Sequence, residues 1–124
     1  MKLEDILSFL EESAPLSLQE NYDNSGLILG DKCADISKVL VCLDADEKAV
    51  DYAVEQHCQL VLSHHPVIFS GIKSFADGSP ESGIVIKAIK NDLALYGFHT
   101  NFDTVSGGLA DLLCRKLGID NVQI

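Results

Sequence analysis

Gln59-Leu60-Val61-Leu62-Ser63-His64-His65-Pro66 reads as a buried strand that ends in two adjacent imidazoles. Pro66 disfavours helical backbone at His65, so no helix can absorb the pair. Upstream, Lys38-Val39-Leu40-Val41-Cys42-Leu43 is a second continuous apolar run rich in β-branched residues, as expected of a strand buried on both faces. Between the two runs, Asp44 followed by Glu47 reads as a helix start, and Ala49, Val50, Ala53 and Val54 supply that helix with a buried side. Leu93 to Phe98 is a third apolar run and ends at His99.

The remaining segments extend the same alternation. Leu3, Ile6, Leu7 and Leu10 form one apolar face of a helix over residues 2–13, and Leu27-Ile28-Leu29-Gly30 is a short strand after a polar, turn-rich stretch. Ser70 to Ser79 has little periodicity and reads as a loop, whereas Ser79-Pro80-Glu81 is a helix start with Pro at the first helical position. Gly107-Gly108 leads into a last helix through Leu109, Leu112, Leu113 and Leu117, closed by Gly118. The expected fold is α/β: an open, mostly parallel sheet flanked by helices, in one domain spanning residues 1–124.

Bulk properties exclude several classes of function. The chain has 9 Lys and Arg against 19 Asp and Glu, a net charge of −10 that repels nucleic-acid phosphates and anionic membrane surfaces. No apolar run is long enough to span a bilayer, and the acidic Met1-Lys2-Leu3-Glu4-Asp5 is no signal or transit peptide. The four cysteines, Cys33, Cys42, Cys58 and Cys114, form no C-x-x-C pattern and are expected as free, mostly buried thiols in a reducing cytoplasm. Neither a G-x-S-x-G elbow surrounds Ser63 nor does Gly107-Gly108 belong to a dinucleotide or Walker pattern.

Ligands of open parallel sheets bind outside the carboxyl ends of the strands. Here those ends carry Asp44, His64 and His65, and His99 with Asp103 four residues on. Imidazoles mixed with carboxylates suit Zn, Fe, Mn, Co or Ni better than Ca or Mg, which prefer oxygen-only shells. Structural alternatives stand beside these readings. Asp44 can be a helix N-cap, His99 a hydrogen-bonded core histidine, and His57 sits near a helix C-terminus, where an imidazole needs no further role. Adjacent side chains on extended backbone point in opposite directions, so His64 and His65 suit two neighbouring ions, or one ligand and one supporting group.

Asn21-Tyr22-Asp23-Asn24-Ser25-Gly26-Leu27, Leu62-Ser63-His64-His65-Pro66-Val67-Ile68-Phe69 and His99-Thr100-Asn101-Phe102-Asp103 closely resemble three motifs of the Nif-three-like family, catalogued as GTP cyclohydrolase I type 2 homologues. The first motif carries Tyr22 where Trp is usual. The resemblance implies an α/β fold with a dinuclear divalent-metal site and a homohexamer. It makes His64, His65 and Asp103 the metal ligands and His99 a supporting or proton-transfer group at the pocket. Hydrolase chemistry on a small molecule, GTP among the candidates, follows from the same kinship. Family members are about twice as long, and their second half supplies a His-x-x-x-Glu pair that no His of this chain forms. The match therefore corresponds to the N-terminal half of the family pattern. The alternative is a non-catalytic metal-binding or interaction module, incomplete without a second half.

Overall fold

A computed structural model describes residues 1–76 and 78–120. Four strands, β1 (Gly26–Leu29), β2 (Val39–Asp44), β3 (Leu60–His65) and β4 (Ala94–Gly97), form one sheet in the order β1-β4-β3-β2. The pairs β2–β3 and β3–β4 are parallel, and β1 is an antiparallel edge on β4. The mostly parallel α/β sheet read from the sequence is the sheet observed.

Helices α1 (Leu3–Ser13), α2 (Glu47–Glu55) and α3 (Pro80–Lys90) cover the sheet, while α4 (Thr100–Thr104) and α5 (Leu109–Leu117) follow β4. Leu3, Leu7 and Leu10 of α1 pack with Ile36, Leu60, Ala94 and Tyr96. Across the sheet, Val50 and Ala53 of α2 and Ile84 and Ala88 of α3 pack with Val61, Leu93 and Leu95. The central run Leu60-Val61 is fully buried because it feeds one residue to each of these two clusters. Burying each such side chain is worth about 1.5–3 kcal/mol over leaving it exposed, which makes β3 the anchor of the fold.

Several local readings need correction. The N-cap of α2 is Asp46, whose carboxylate accepts from the Ala49 amide at 2.8 Å; Asp44 is the last residue of β2 and caps nothing. β2 is not buried on both faces, since it is the sheet's other edge and leaves Val41 70% and Leu43 60% exposed. Its alternate residues Leu40 and Cys42 pack on the α2–α3 side, so one face of the strand satisfies its apolar pattern. α5 has the expected span, yet it contains no buried residue, and Leu112, Leu113 and Leu117 lie open. Helix α4 has no counterpart in the sequence reading because five residues are too few to display an apolar period.

Other expectations hold. Ser79 caps α3 by accepting from the Ser82 amide, with Pro80 in the first turn. His57 follows the Gln56 C-cap of α2 with a positive φ of 55° and is exposed, in keeping with its place at a helix C-terminus. All four cysteines are free as expected, but the expectation that most are buried is corrected: only Cys58 is buried, Cys33 is exposed, and Cys42 and Cys114 are intermediate. In the loop before α3, Asp77 lies outside the described residues, as do residues 121–124 at the end of the expected domain. Among the described residues no helix is long and apolar enough to cross a membrane.

Candidate metal centre

The site forms where three chain segments leave the carboxyl ends of parallel strands. β3 ends at His64 and His65 and turns at Pro66. β4 ends at Gly97, beside that turn: a Cβ on Gly97 would stand 3.0 Å from the Pro66 Cβ and 3.1 Å from its Cα. Only glycine lets the two strand ends approach this closely, and the approach brings His99 beside the histidine pair. His99 then starts α4, whose backbone accepts Asp103 N–H at the His99 carbonyl, 3.1 Å away. One helical turn thereby sets Asp103 on the same side as His99. Gly108 closes this segment, because a Cβ there would overlap the Phe102 carbonyl oxygen at 2.0 Å.

His64, His65 and His99 converge. One ring nitrogen from each lies within 4.8 Å of the other two, a cluster that could hold a metal ion. The ring centroids of His64 and His65 are 4.9 Å apart, and His99 stands edge-on to both at 5.1 and 5.5 Å. The strand alternation expected to separate His64 from His65 therefore does not keep their rings apart. Alternation fixes only the Cα–Cβ direction, and at the last two residues of a strand both side chains can bend over the rim. Asp103 stands further out, its Oδ1 3.9 Å from His64 Nε2.

Each imidazole is oriented from behind by an oxygen. His64 Nδ1 donates to the Phe98 carbonyl at 3.0 Å, His65 Nδ1 to Asp44 Oδ1 at 2.6 Å and His99 Nδ1 to Asp23 Oδ1 at 2.8 Å. Carbonyls and carboxylates are acceptors only, so in all three neutral rings the proton belongs on Nδ1 and Nε2 keeps its lone pair. Metal-binding histidines characteristically have their second nitrogen held in this way. The donor chemistry of the site thus fits a divalent transition-metal ion.

Asp44 was legible as a rim carboxylate, and parallel pairing sets it directly beside His65 in register. Asp23 lies in the first of the three motifs, and no pattern around it points to a role at the rim. Its side chain is fully buried and receives hydrogen bonds from Asn24 N, Ser25 Oγ, His99 Nδ1, Thr100 N and Thr100 Oγ1. Burial opposes its ionisation, but the bonds from His99, Thr100, Ser25 and Asn24 outweigh it and hold the carboxyl well below the usual carboxylate range. An Asp in an Asn- and Ser-rich turn is ordinarily a surface residue, so local pattern alone could not single it out. Its place in the first of the three motifs was the available signal.

A mostly parallel α/β sheet with imidazoles gathered at its carboxyl rim defines the class: an α/β protein with a candidate metal centre. The family described as Duf34/NIF3 (NGG1p interacting factor 3) matches residues 1–124, and the chain belongs to it. It is 41% identical over 120 residues to a GTP cyclohydrolase 1 type 2 homolog of Clostridium perfringens, covering 97% of this chain and 46% of that protein. A solved Bacillus cereus protein related to NIF3 superposes with a TM-score of 0.92 at 35% identity, over 100% of this chain and 34% of its own. Reduced HcgD from Methanocaldococcus jannaschii gives 0.91 at 30% identity, over 99% and 49%. The chain thus spans half or less of these relatives.

Proposed function

We propose that this chain carries the metal-holding part of a metal-dependent hydrolase-type site, with His64, His65 and Asp103 as ligands and His99 as the proton-transfer group. The observation that carries this reading is the set of three Nδ1 atoms tied to acceptor oxygens, which leaves three Nε2 lone pairs at one rim. The ions are divalent transition metals, Zn, Fe, Mn, Co or Ni, with up to two per site. When bound, they would supply Lewis acidity and a water nucleophile at neutral pH. His64 and His65 offer neutral nitrogen donors, and Asp103 adds negative charge opposite His64 Nε2. His99 accepts a proton at Nε2 while its Nδ1–H stays on Asp23. The stretch 66–73, including Lys73, lines a cavity of about 460 Å³ just beyond the histidine pair, suited to a small-molecule substrate. The kinship with proteins named GTP cyclohydrolase 1 type 2 homologs makes a nucleotide the first candidate.

A second reading is a non-catalytic metal-binding or interaction module of a larger assembly. The open apolar side chains Val41, Leu43, Leu112, Leu113 and Leu117 support burial against further protein, a second half or, as the family resemblance implies, other copies in a hexamer. On either reading the setting is cytoplasmic, and the partner is neither membrane nor nucleic acid.

Elemental analysis of the purified protein beside His64→Ala and Asp103→Ala tests the site: wild type should carry transition metal that both variants lose. Equal metal in all three removes the proposal. GTP and simple phosphoesters, assayed with added Mn, Zn or Fe, then separate the two readings. Turnover that appears only when a relative's second half is supplied favours the enzyme, and its absence in both conditions favours the module.

A further inference from the structure

We propose that Asp23 is the positioning residue of the site: it fixes His99 in the tautomer with the proton on Nδ1, leaving Nε2 as the nitrogen offered to the histidine cluster. The hydrogen-bond network around Asp23 contains little freedom. Its Oδ1 receives Asn24 N–H at 2.7 Å and His99 Nδ1 at 2.8 Å. Its Oδ2 receives Ser25 Oγ at 2.7 Å, Thr100 N–H at 3.1 Å and the Thr100 hydroxyl.

The proton directions can be assigned one by one. Two donors are backbone amides and cannot reverse. Thr100 Oγ1 already accepts from Glu20 N–H at 3.0 Å, so its own proton is directed to Asp23. With the carboxylate fully buried, no water can stand in for a missing donor. His99 Nδ1 must therefore arrive protonated. The ring is also confined, with Phe69 edge-on at 6.1 Å and His64 at 5.1 Å. Asp23 thus reaches from the turn between α1 and β1 to set the chemistry of a residue that follows β4.

This inference rests on the metal reading only for what the free Nε2 is used for; the tautomer itself can be read without metal. Long-range ¹H–¹⁵N spectra at alkaline pH, where imidazoles are neutral, report the tautomer of each ring. His99 is assigned by the signals that vanish in His99→Gln. In wild type the Nδ1–H form of His99 should exceed the Nε2–H form by about tenfold or more, as expected for a bond to a charged acceptor. Asp23→Asn should lower that ratio by about tenfold.

Thr100→Val removes one donor to Oδ2, leaves Oδ1 alone, and should keep the ratio within about twofold. A predominant Nε2–H form in wild type overturns the proposal. So does a ratio unchanged in Asp23→Asn, or one moved as far by Thr100→Val. Should Asp23→Asn not fold, the wild-type and Thr100→Val spectra decide. Zinc uptake measured on the same samples separates the two ideas: the expected tautomer without zinc uptake supports Asp23 and counts against the metal reading.

Discussion

Two histidine–carboxylate pairs stand within one site and differ mainly in where water can reach. His99–Asp23 has side-chain exposures of 17% and 0%, whereas His65–Asp44 has 47% and 60%. The bonds are similar, 2.8 Å and 2.6 Å between nitrogen and oxygen. Exposed pairs of this kind contribute little, because water competes for both partners and holding two side chains in one geometry costs entropy. A buried carboxylate has no such substitute and depends on every donor around it. Bond length therefore does not rank the pairs; the number of donors and the exclusion of water do.

The largest separation should come from deleting the carboxylates. Asp23→Ala leaves the Thr100 amide and the hydroxyls of Ser25 and Thr100, all on buried residues, without their acceptor, at a cost of about 3 kcal/mol in unfolding free energy. Asp44→Ala should remain within about 0.5 kcal/mol of wild type. Urea unfolding followed by circular dichroism measures both. Equal losses in the two variants would break the comparison.

Acid stability gives the next effect. The carboxyl of Asp23 is held well below its unfolded value of about 4, so its stabilisation is present above that pH. It is lost progressively as the pH falls from about 4 toward the folded value. Melting temperatures across this range should fall steeply in wild type and in Asp44→Asn. In Asp23→Asn the decline should be shallower, from a lower starting point. Parallel curves for wild type and Asp23→Asn would remove Asp23 as the acid-sensitive group.

The contrast between the pairs also marks how far the sequence could be read. Asp44, His64 and His65 were legible because they terminate apolar runs, and a parallel sheet sends the ends of such runs to one rim. The pairing of β2 with β3, which the apolar runs do not specify, then registers Asp44 against His65. Asp23 lies 76 residues from His99, and its burial depends on how the turn after α1 docks against α4. That is tertiary information, carried by contacts such as Asn24 Nδ2 to the Ile68 carbonyl at 2.7 Å and Glu20 N to Thr100 Oγ1 at 3.0 Å. The exposed side of β2 escaped the pattern for a related reason. An apolar run records what a strand is suited to pack against, not whether this stretch of chain supplies the cover.

Backbone packing makes a smaller contribution than Asp23 and acts on the other side of the site. Gly97→Ala forces a methyl against Pro66, where the nearest atoms would be 3.0–3.1 Å away and one of them is backbone. The strand ends must shift by a few tenths of an ångström, at a cost of about 1 kcal/mol. Because Pro66 follows His65 directly, the shift should be felt at His64 and His65 before it reaches the Asp23–His99 pair. In imidazole spectra the His64 and His65 signals should move more than those of His99. The reverse order would mean that the two strand ends are held from the Asp23 side.

The smallest effect belongs to Asp44→Asn, and it tests the exposed half of the comparison most directly. Asn keeps an oxygen acceptor for His65 Nδ1 and removes only the charge. Supporting partners of metal-bound histidines ordinarily matter by about 10–100-fold in affinity. Here water already reaches both groups, so zinc affinity measured by competition with a chelator should fall by less than about tenfold. A loss near 100-fold would mean that the bound state closes over Asp44 and turns an exposed pair into a buried one. Exposure would then be a property of the metal-free chain alone, and the difference between the two pairs would shrink when the site fills.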